Sequence, residues 1–140
     1  MRHTYYLNYQ IKTYSINKIK NKYVFVNGEH AIYYRDLNAN DVVEVDFSYD
    51  DDNYNNIASN PDIKFEIVYE DDWLLIVNKG ANLPVHPSLN HYDISLSNGI
   101  RAYFDKIGLN KTVRLVNRID KDTTGLVVIA KCEYIQESLI

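Results

Sequence analysis

A polar turn that runs without a break into an apolar strand is the tightest constraint in this chain. Residues 116–125 read V-N-R-I-D-K-D-T-T-G, and Leu126, Val127, Val128, Ile129, Ala130 and Lys131 follow directly. The run from Leu126 to Ala130 has too few polar breaks for a half-exposed strand, so it predicts a strand buried on both faces. Asp122, Thr123, Thr124 and Gly125 supply the turn into it. Asp120 therefore stands at the mouth of a rigid element, with Arg118 just before it. A positioned nucleophile or base needs that setting: an acid on a fixed scaffold beside a cation.

Spacing alone leaves other readings open. Turns are rich in aspartate for conformational reasons, and Asp120 paired to Arg118 would then be an ordinary solvated acid. Two close carboxylates, Asp120 and Asp122, also suit acid–base work on a glycosidic bond, or a divalent ion. Against an ion, Arg118 and Lys121 compete for the same carboxylates. His3, His30, His86 and His91 are scattered and Cys132 is alone, so metal-ligand spacing is absent.

A second segment bears on the choice. Residues 67–79, I-V-Y-E-D-D-W-L-L-I-V-N-K, read as strand, acidic turn, strand, and predict a hairpin. Gly80-Ala81-Asn82-Leu83-Pro84-Val85-His86-Pro87-Ser88 then form a loop whose prolines bracket Val85 and His86. Together the two segments resemble, in the same order, the Y-E-D…N-K-P-A-G-L-P-V-H-P-S and H/N-R-L-D-x-x-T-S-G-L…A-K runs of the RluA-type RNA pseudouridine synthases. The resemblance covers about residue 65 to the end. Gly80 stands at the family's usual proline, Asn82 at its usual glycine, Asn117 where many members have histidine, Ile119 at leucine and Thr124 at serine. Gly80 and Asn82 are themselves turn formers, and the other exchanges keep hydrogen-bonding or apolar character.

The resemblance implies an α+β chain: the N-terminal half of the mixed, mainly antiparallel-sheet pseudouridine synthase fold, preceded by a small RNA-binding-type module. It implies an isomerase that converts uridine to pseudouridine in structured RNA, ribosomal or transfer, with Asp120 as the catalytic residue and no metal, redox group or nucleotide cofactor. Attack on the base, attack on the ribose and removal of a ribose proton are all open to that aspartate. Arg118, Lys79 and His86 become candidates for contacting RNA. Asn117, Thr123, Thr124 and Gly125 become the residues supporting the turn, the threonines by hydroxyl-to-backbone bonds. The family continues for roughly another hundred residues, which carry a tyrosine and a basic residue of its active site. The chain is thus expected to be an N-terminal piece, inactive alone, and a non-catalytic RNA-binding fragment is the alternative.

Composition fits this picture once charge is read by position. The net charge is −4, which by itself disfavours a nucleic-acid binder. The acid is concentrated, however: residues 36–72 hold twelve acids against Lys64, whereas residues 1–35 hold six bases against Glu29. A basic face outside the middle segment remains available. No apolar run approaches a membrane span, the first residues lack a signal-peptide core, and a single cysteine suits a reducing cytoplasm.

Three segments are expected. Residues 1–47 form a small basic module: a basic stretch at 16–22 with helical spacing, then Val24-Phe25-Val26, the turn Asn27-Gly28 and an alternating strand at 42–47. That outline is similar to the ribosomal-protein-type RNA-binding domain, except that Tyr5, Tyr6, Tyr9 and Ile11 look like strand where the module has a helix. Residues 48–60, acidic and Asn-rich, read as a linker. Residues 61–140 form the N-terminal part of the catalytic domain, with one amphipathic helix across 93–108 that Gly108 ends, and the start of another from Glu133.

Overall fold

The computed structural model describes residues 2–6, by their backbone, and 23–31, 36–89 and 92–140. The chain divides into two compact units, Met1–Tyr49 and Asp50–Ile140, with a mixed α+β architecture built on antiparallel sheets and few helices.

The first unit is a four-stranded antiparallel sheet of β1 (Arg2–Tyr6), β2 (Val24–Val26), β3 (Glu29–His30) and β4 (Val42–Asp46), in the order β1-β4-β2-β3. Asn27 and Gly28 turn β2 into β3 with φ of 52° and 82°, the left-handed pair that a two-residue hairpin requires. The Asn27 side chain also ties down β4, donating to Asp41 Oδ1 at 2.8 Å and accepting from the Val42 N–H at 2.9 Å. Alternation along β4 buries Val43 and Val45. Tyr5 and Tyr6 lie in β1, in keeping with their strand-like pattern. The basic stretch at 16–22 lies outside the described residues.

The second unit positions the Asp120 segment. Its sheet comprises β5 (Glu66–Glu70), β6 (Leu74–Lys79), β7 (Arg114–Leu115) and β8 (Gly125–Ala130), ordered β5-β6-β8-β7 with every pairing antiparallel. The expected hairpin is present: Asp71 Oδ1 accepts from the N–H groups of Trp73 and Leu74, both at 2.7 Å, and so closes the acidic turn. Helix α1 (Leu96–Lys106) begins at Ser95, whose hydroxyl accepts from the Asn98 N–H, and is followed by Gly108 at φ 71°. Helix α2 (Glu133–Leu139) follows β8. Leu75 and Val77 of β6, and Val127 and Ile129 of β8, form one core with Leu96, Ile100 and Phe104 of α1.

Two expectations change here. Strand β8 is not buried on both faces. Val127 and Ile129 are fully buried, but Leu126 is 52% exposed and Val128 only half-buried. The apolar helix covers one face of the sheet, so the strand alternates although its sequence does not. The acidic segment 48–60 is not free linker either. Asp51 is paired with Arg114 and lies 3.9 Å from Lys111, and its carboxylate also accepts from the Thr112 N–H at 2.8 Å. Arg101, fully buried on α1, donates to the carbonyls of Tyr54, Leu109 and Lys111. Acids that would be solvated in a linker here neutralise buried cations.

Candidate active site

Asp120 occupies the turn between β7 and β8. The chain leaves the sheet at Val116, whose N–H still donates to the Val128 carbonyl at 2.8 Å. Asn117 then continues the ladder with its side chain: Nδ2 donates to Leu126 O at 3.1 Å and Oδ1 accepts from the Val128 N–H at 2.8 Å. An amide side chain presents a donor and an acceptor as a peptide does, so the backbone can rise away while β8 stays paired. Residues 118–124 are thereby carried across the mouth of the strand.

The turn closes through its backbone, with the Thr123 N–H donating to Asp120 O at 3.1 Å. The hydroxyls of Thr123 and Thr124, expected to make such bonds, are on exposed residues and among the described residues make none. Gly125 takes φ 148°, a conformation L side chains rarely adopt. Asp120 and Arg118 are exposed, and among the described residues no ion pair joins Arg118 to Asp120 or Asp122. The carboxylate is held by its backbone, with its face open to a ligand.

Lys79 is the main correction to the site. It was a candidate for contacting RNA, yet it is fully buried at the end of β6. Its Nζ donates to three carbonyls: Gly80 at 2.8 Å, Leu83 at 2.8 Å and Lys121 at 2.9 Å. An ammonium has three N–H donors, so none is left for a phosphate. Burial pulls its pKa below the ordinary lysine value, and Asp122 partly offsets this. The Leu83 N–H also donates to Lys121 O at 3.1 Å. Loop 80–88 and the Asp120 turn are therefore one bonded unit.

That loop brings His86 to the site. Leu96 and Ser97, at the start of α1, donate their N–H groups to the carbonyls of Pro84 and Val85 at 2.8 and 3.1 Å, and Ser97 Oγ adds a 2.8 Å bond to Val85 O. Asn82 takes φ 59°, which asparagine tolerates, so the exchange from glycine keeps the bend. His86 is exposed next to this anchor, and its pKa is lowered by partial desolvation and by the charge of Arg118. His86, Arg118 and Asp120 thus share one surface, with Lys79 beneath it.

Sequence reasoning missed a half-buried network at the other end of the β6–β8 pair. Glu70 accepts from Lys131 Nζ at 2.7 Å and from Tyr103 Oη at 2.6 Å, and Lys131 also donates to Asp71 O at 2.6 Å. The hydrogen bond to Glu70, with burial, pushes the Tyr103 phenol up to about 12. The only signal was the recurrence of Glu70 and Lys131 inside the two resembling runs.

Residues 73–139 match the family described as RNA pseudouridylate synthase. The ribosomal large subunit pseudouridine synthase D of Blochmanniella floridana is 32% identical over 147 residues, covering 97% of this chain and 44% of that protein. The protein of the same name from Pseudomonas aeruginosa is 46% identical over 70 residues, covering 50% of this chain and 22% of that one. A solved structure, Human RNA Pseudouridylate Synthase Domain Containing 4, aligns over 53% of this chain and 27% of its own at 25% identity and a TM-score of 0.44. The chain belongs to the RluA-type RNA pseudouridine synthase family. It spans less than half the length of these relatives.

Proposed function

We propose that the chain is part of an RNA pseudouridine synthase that isomerises uridine in ribosomal RNA of the large subunit, with Asp120 as its catalytic carboxylate. The observation that carries the reading is the open carboxylate of Asp120 on a turn fixed by Asn117, Gly125 and Lys79, inside the stretch that matches the family. The substrate class follows the relatives' names. The reaction breaks the bond from ribose C1′ to N1 of uracil and forms one from C1′ to C5; C5 loses a proton and N1 gains one, so the product is an isomer. It needs a positioned acid or nucleophile, a pocket that retains the detached base, and exclusion of water. The target uridine must leave its stack, at a cost of about a few kcal/mol. Arg118 and His86 are the groups of this chain placed to hold RNA beside the vacated position.

The same reading makes residues 61–140 the N-terminal part of a catalytic domain and residues 1–47 a module that adds RNA contacts. It sets the protein in the cytoplasm. No helix among the described residues is long and apolar enough to cross a membrane.

A second reading is RNA binding without catalysis, resting on the exposed Arg118 and His86 beside Asp120. Mass spectrometry of digested ribosomal and transfer RNA, cyanoethylated to mark pseudouridine, separates the two when Asp120→Asn is run in parallel. Product that requires Asp120 supports catalysis. Bound but unmodified RNA supports the second reading.

A further inference from the structure

Strand β5 closes one side of the second sheet, and its outward edge is open. The sheet runs β5-β6-β8-β7, so β5 pairs with β6 alone. At the opposite edge Gln136 of α2 donates to the Leu115 carbonyl at 2.9 Å. No such cover reaches β5: among the described residues, the backbone groups of residues 66–70 bond only to β6. An unpaired strand edge is a template for another extended chain. This one also carries three adjacent apolar side chains: Ile67, Val68 and Tyr69 are 39%, 53% and 50% exposed. Val68 is the extra residue of a β-bulge, between the pairs Ile67–Val77 and Tyr69–Ile76. Tyr69 is steadied by its hydroxyl, which donates to Asp71 Oδ2 at 2.8 Å.

Charge around the edge decides what can lie against it. The strand reads Glu-Ile-Val-Tyr-Glu, and Asp71 and Asp72 follow. Glu66 is exposed, and only one of its carboxylate oxygens accepts from Asn78 Nδ2, at 3.2 Å. Asp72 is exposed at the tip of the hairpin. Lys64, just before the strand, is turned to Pro61 O at 3.1 Å, and Lys131 is engaged by Glu70 and Asp71 O. The edge is therefore apolar in its middle and anionic at both ends. Such a surface repels the phosphates of RNA. A second copy fits no better. Antiparallel pairing over the whole strand sets Glu66 of each copy opposite Glu70 of the other, and like charges directly opposed destabilise a sheet. The bulge and the terminal acids are devices that keep flat, neutral strands off an edge. An extended segment with apolar residues between lysines or arginines matches both the edge and its charge.

We propose that β5 is a docking edge for a basic extended segment of a partner protein, which joins the sheet as a further strand. Backbone bonds to residues 66–70 supply the affinity, apolar side chains of the segment cover Val68 and Tyr69, and its cations meet Glu66 and Asp72. This docking is independent of the RNA reading.

The test is amide NMR of the whole chain, titrated to about 1 mM with the acetylated peptide Lys-Thr-Val-Thr-Val-Thr-Lys. Shifts confined to residues 66–70 and their partners on β6 are expected. The same peptide N-methylated at its central residues lacks strand donors and is expected to bind at least about tenfold more weakly. Glu66→Lys, an exchange on an exposed residue that leaves the fold intact, is expected to weaken binding about fivefold. No shifts at residues 66–70, equal binding of the N-methylated peptide, or equal binding of a peptide with glutamates for lysines each overturn the proposal. A dimer of the free chain that Val68→Lys dissolves assigns the edge to a second copy, and shifts of residues 66–70 on adding ribosomal RNA assign it to RNA; either result also overturns it.

Discussion

Replacing Lys79 with methionine keeps the length of the buried side chain and removes its charge and all three donors. The three carbonyls then divide by exposure. Gly80 and Lys121 are exposed residues whose oxygens regain water in part, whereas Leu83 is half-buried and its oxygen stays short of a donor. A hydrogen bond from a charged group contributes about 1.5–3 kcal/mol net. With that partial recovery the three lost bonds cost about 3–6 kcal/mol, and relief of the desolvated ammonium returns part of this. A net loss of about 2–4 kcal/mol follows. In a unit of this size that lowers Tm by roughly 10–20 °C. Trp73, the only tryptophan, sits half-buried at the β5–β6 turn and reports this unit in urea unfolding followed by fluorescence. Lys79→Arg is expected not to restore stability, because a planar guanidinium cannot aim three donors into a space shaped for an ammonium. The pH dependence supplies a second check. The folded-state pKa lies below the ordinary 10.5, so the folded chain binds fewer protons and stability rises with pH just beneath that value. The methionine variant lacks that slope. Unfolding of Lys79→Met within 1 kcal/mol of wild type would refute the reasoning.

Other expectations follow from the same geometry. The His86 imidazole titrates below 6.5 because of partial desolvation and the Arg118 charge, so Arg118→Gln moves its NMR titration midpoint upward without returning it fully to that value. Burial works against the charge of Glu70, but hydrogen bonds from Lys131 and Tyr103 and the Lys131 charge outweigh it and hold the carboxyl below 4.5. Its contribution is complete above that pH and is lost as pH falls through the lowered value, so Glu70→Gln flattens the acid limb of a urea-midpoint profile. Gly99→Ala sets a methyl 2.7 Å from Ile63 Cγ2 and 2.8 Å from its Cβ. The displaced packing costs about 1–3 kcal/mol and exceeds the helix-propensity gain of about 1 kcal/mol, so thermal melts show a net loss.

How far the sequence revealed the site depended on how local each cause was. The 67–79 hairpin was legible because Asp71 closes its own turn within three residues. Asn82 could be read as a bend because asparagine accepts a positive φ by itself. The one-sided burial of β8 was not legible: an unbroken apolar run looks the same whether a second layer covers it or not. Lys79 was misread as a surface cation because lysine is almost never fully buried unless paired, and the carbonyl that completes its shell belongs to Lys121, 42 residues away. Asp51 looked like linker for the same reason, since Arg114 lies 63 residues further on.

Taken together, these distant contacts explain why a lysine stands at the end of β6 and directly after β8 in the two recognisable runs. Strand β6 ends at Lys79, which reaches Lys121 O in the turn that introduces β8. Strand β8 is followed by Lys131, which reaches Asp71 O and Glu70 in the turn that introduces β6. In an antiparallel pair the end of one strand lies beside the start of the other. Each lysine therefore fastens the turn leading into its neighbour, and the pair is pinned at both ends. Sliding β8 by one residue would break both clamps and turn Val127 and Ile129 out of the core. The height of Asp120 above the sheet is thus set by the register of two buried strands, and the loop carrying His86 is tied to the same clamp. A carboxylate on an exposed turn gains a fixed position in this way without a side-chain partner among the described residues, and its open face remains available for a ligand.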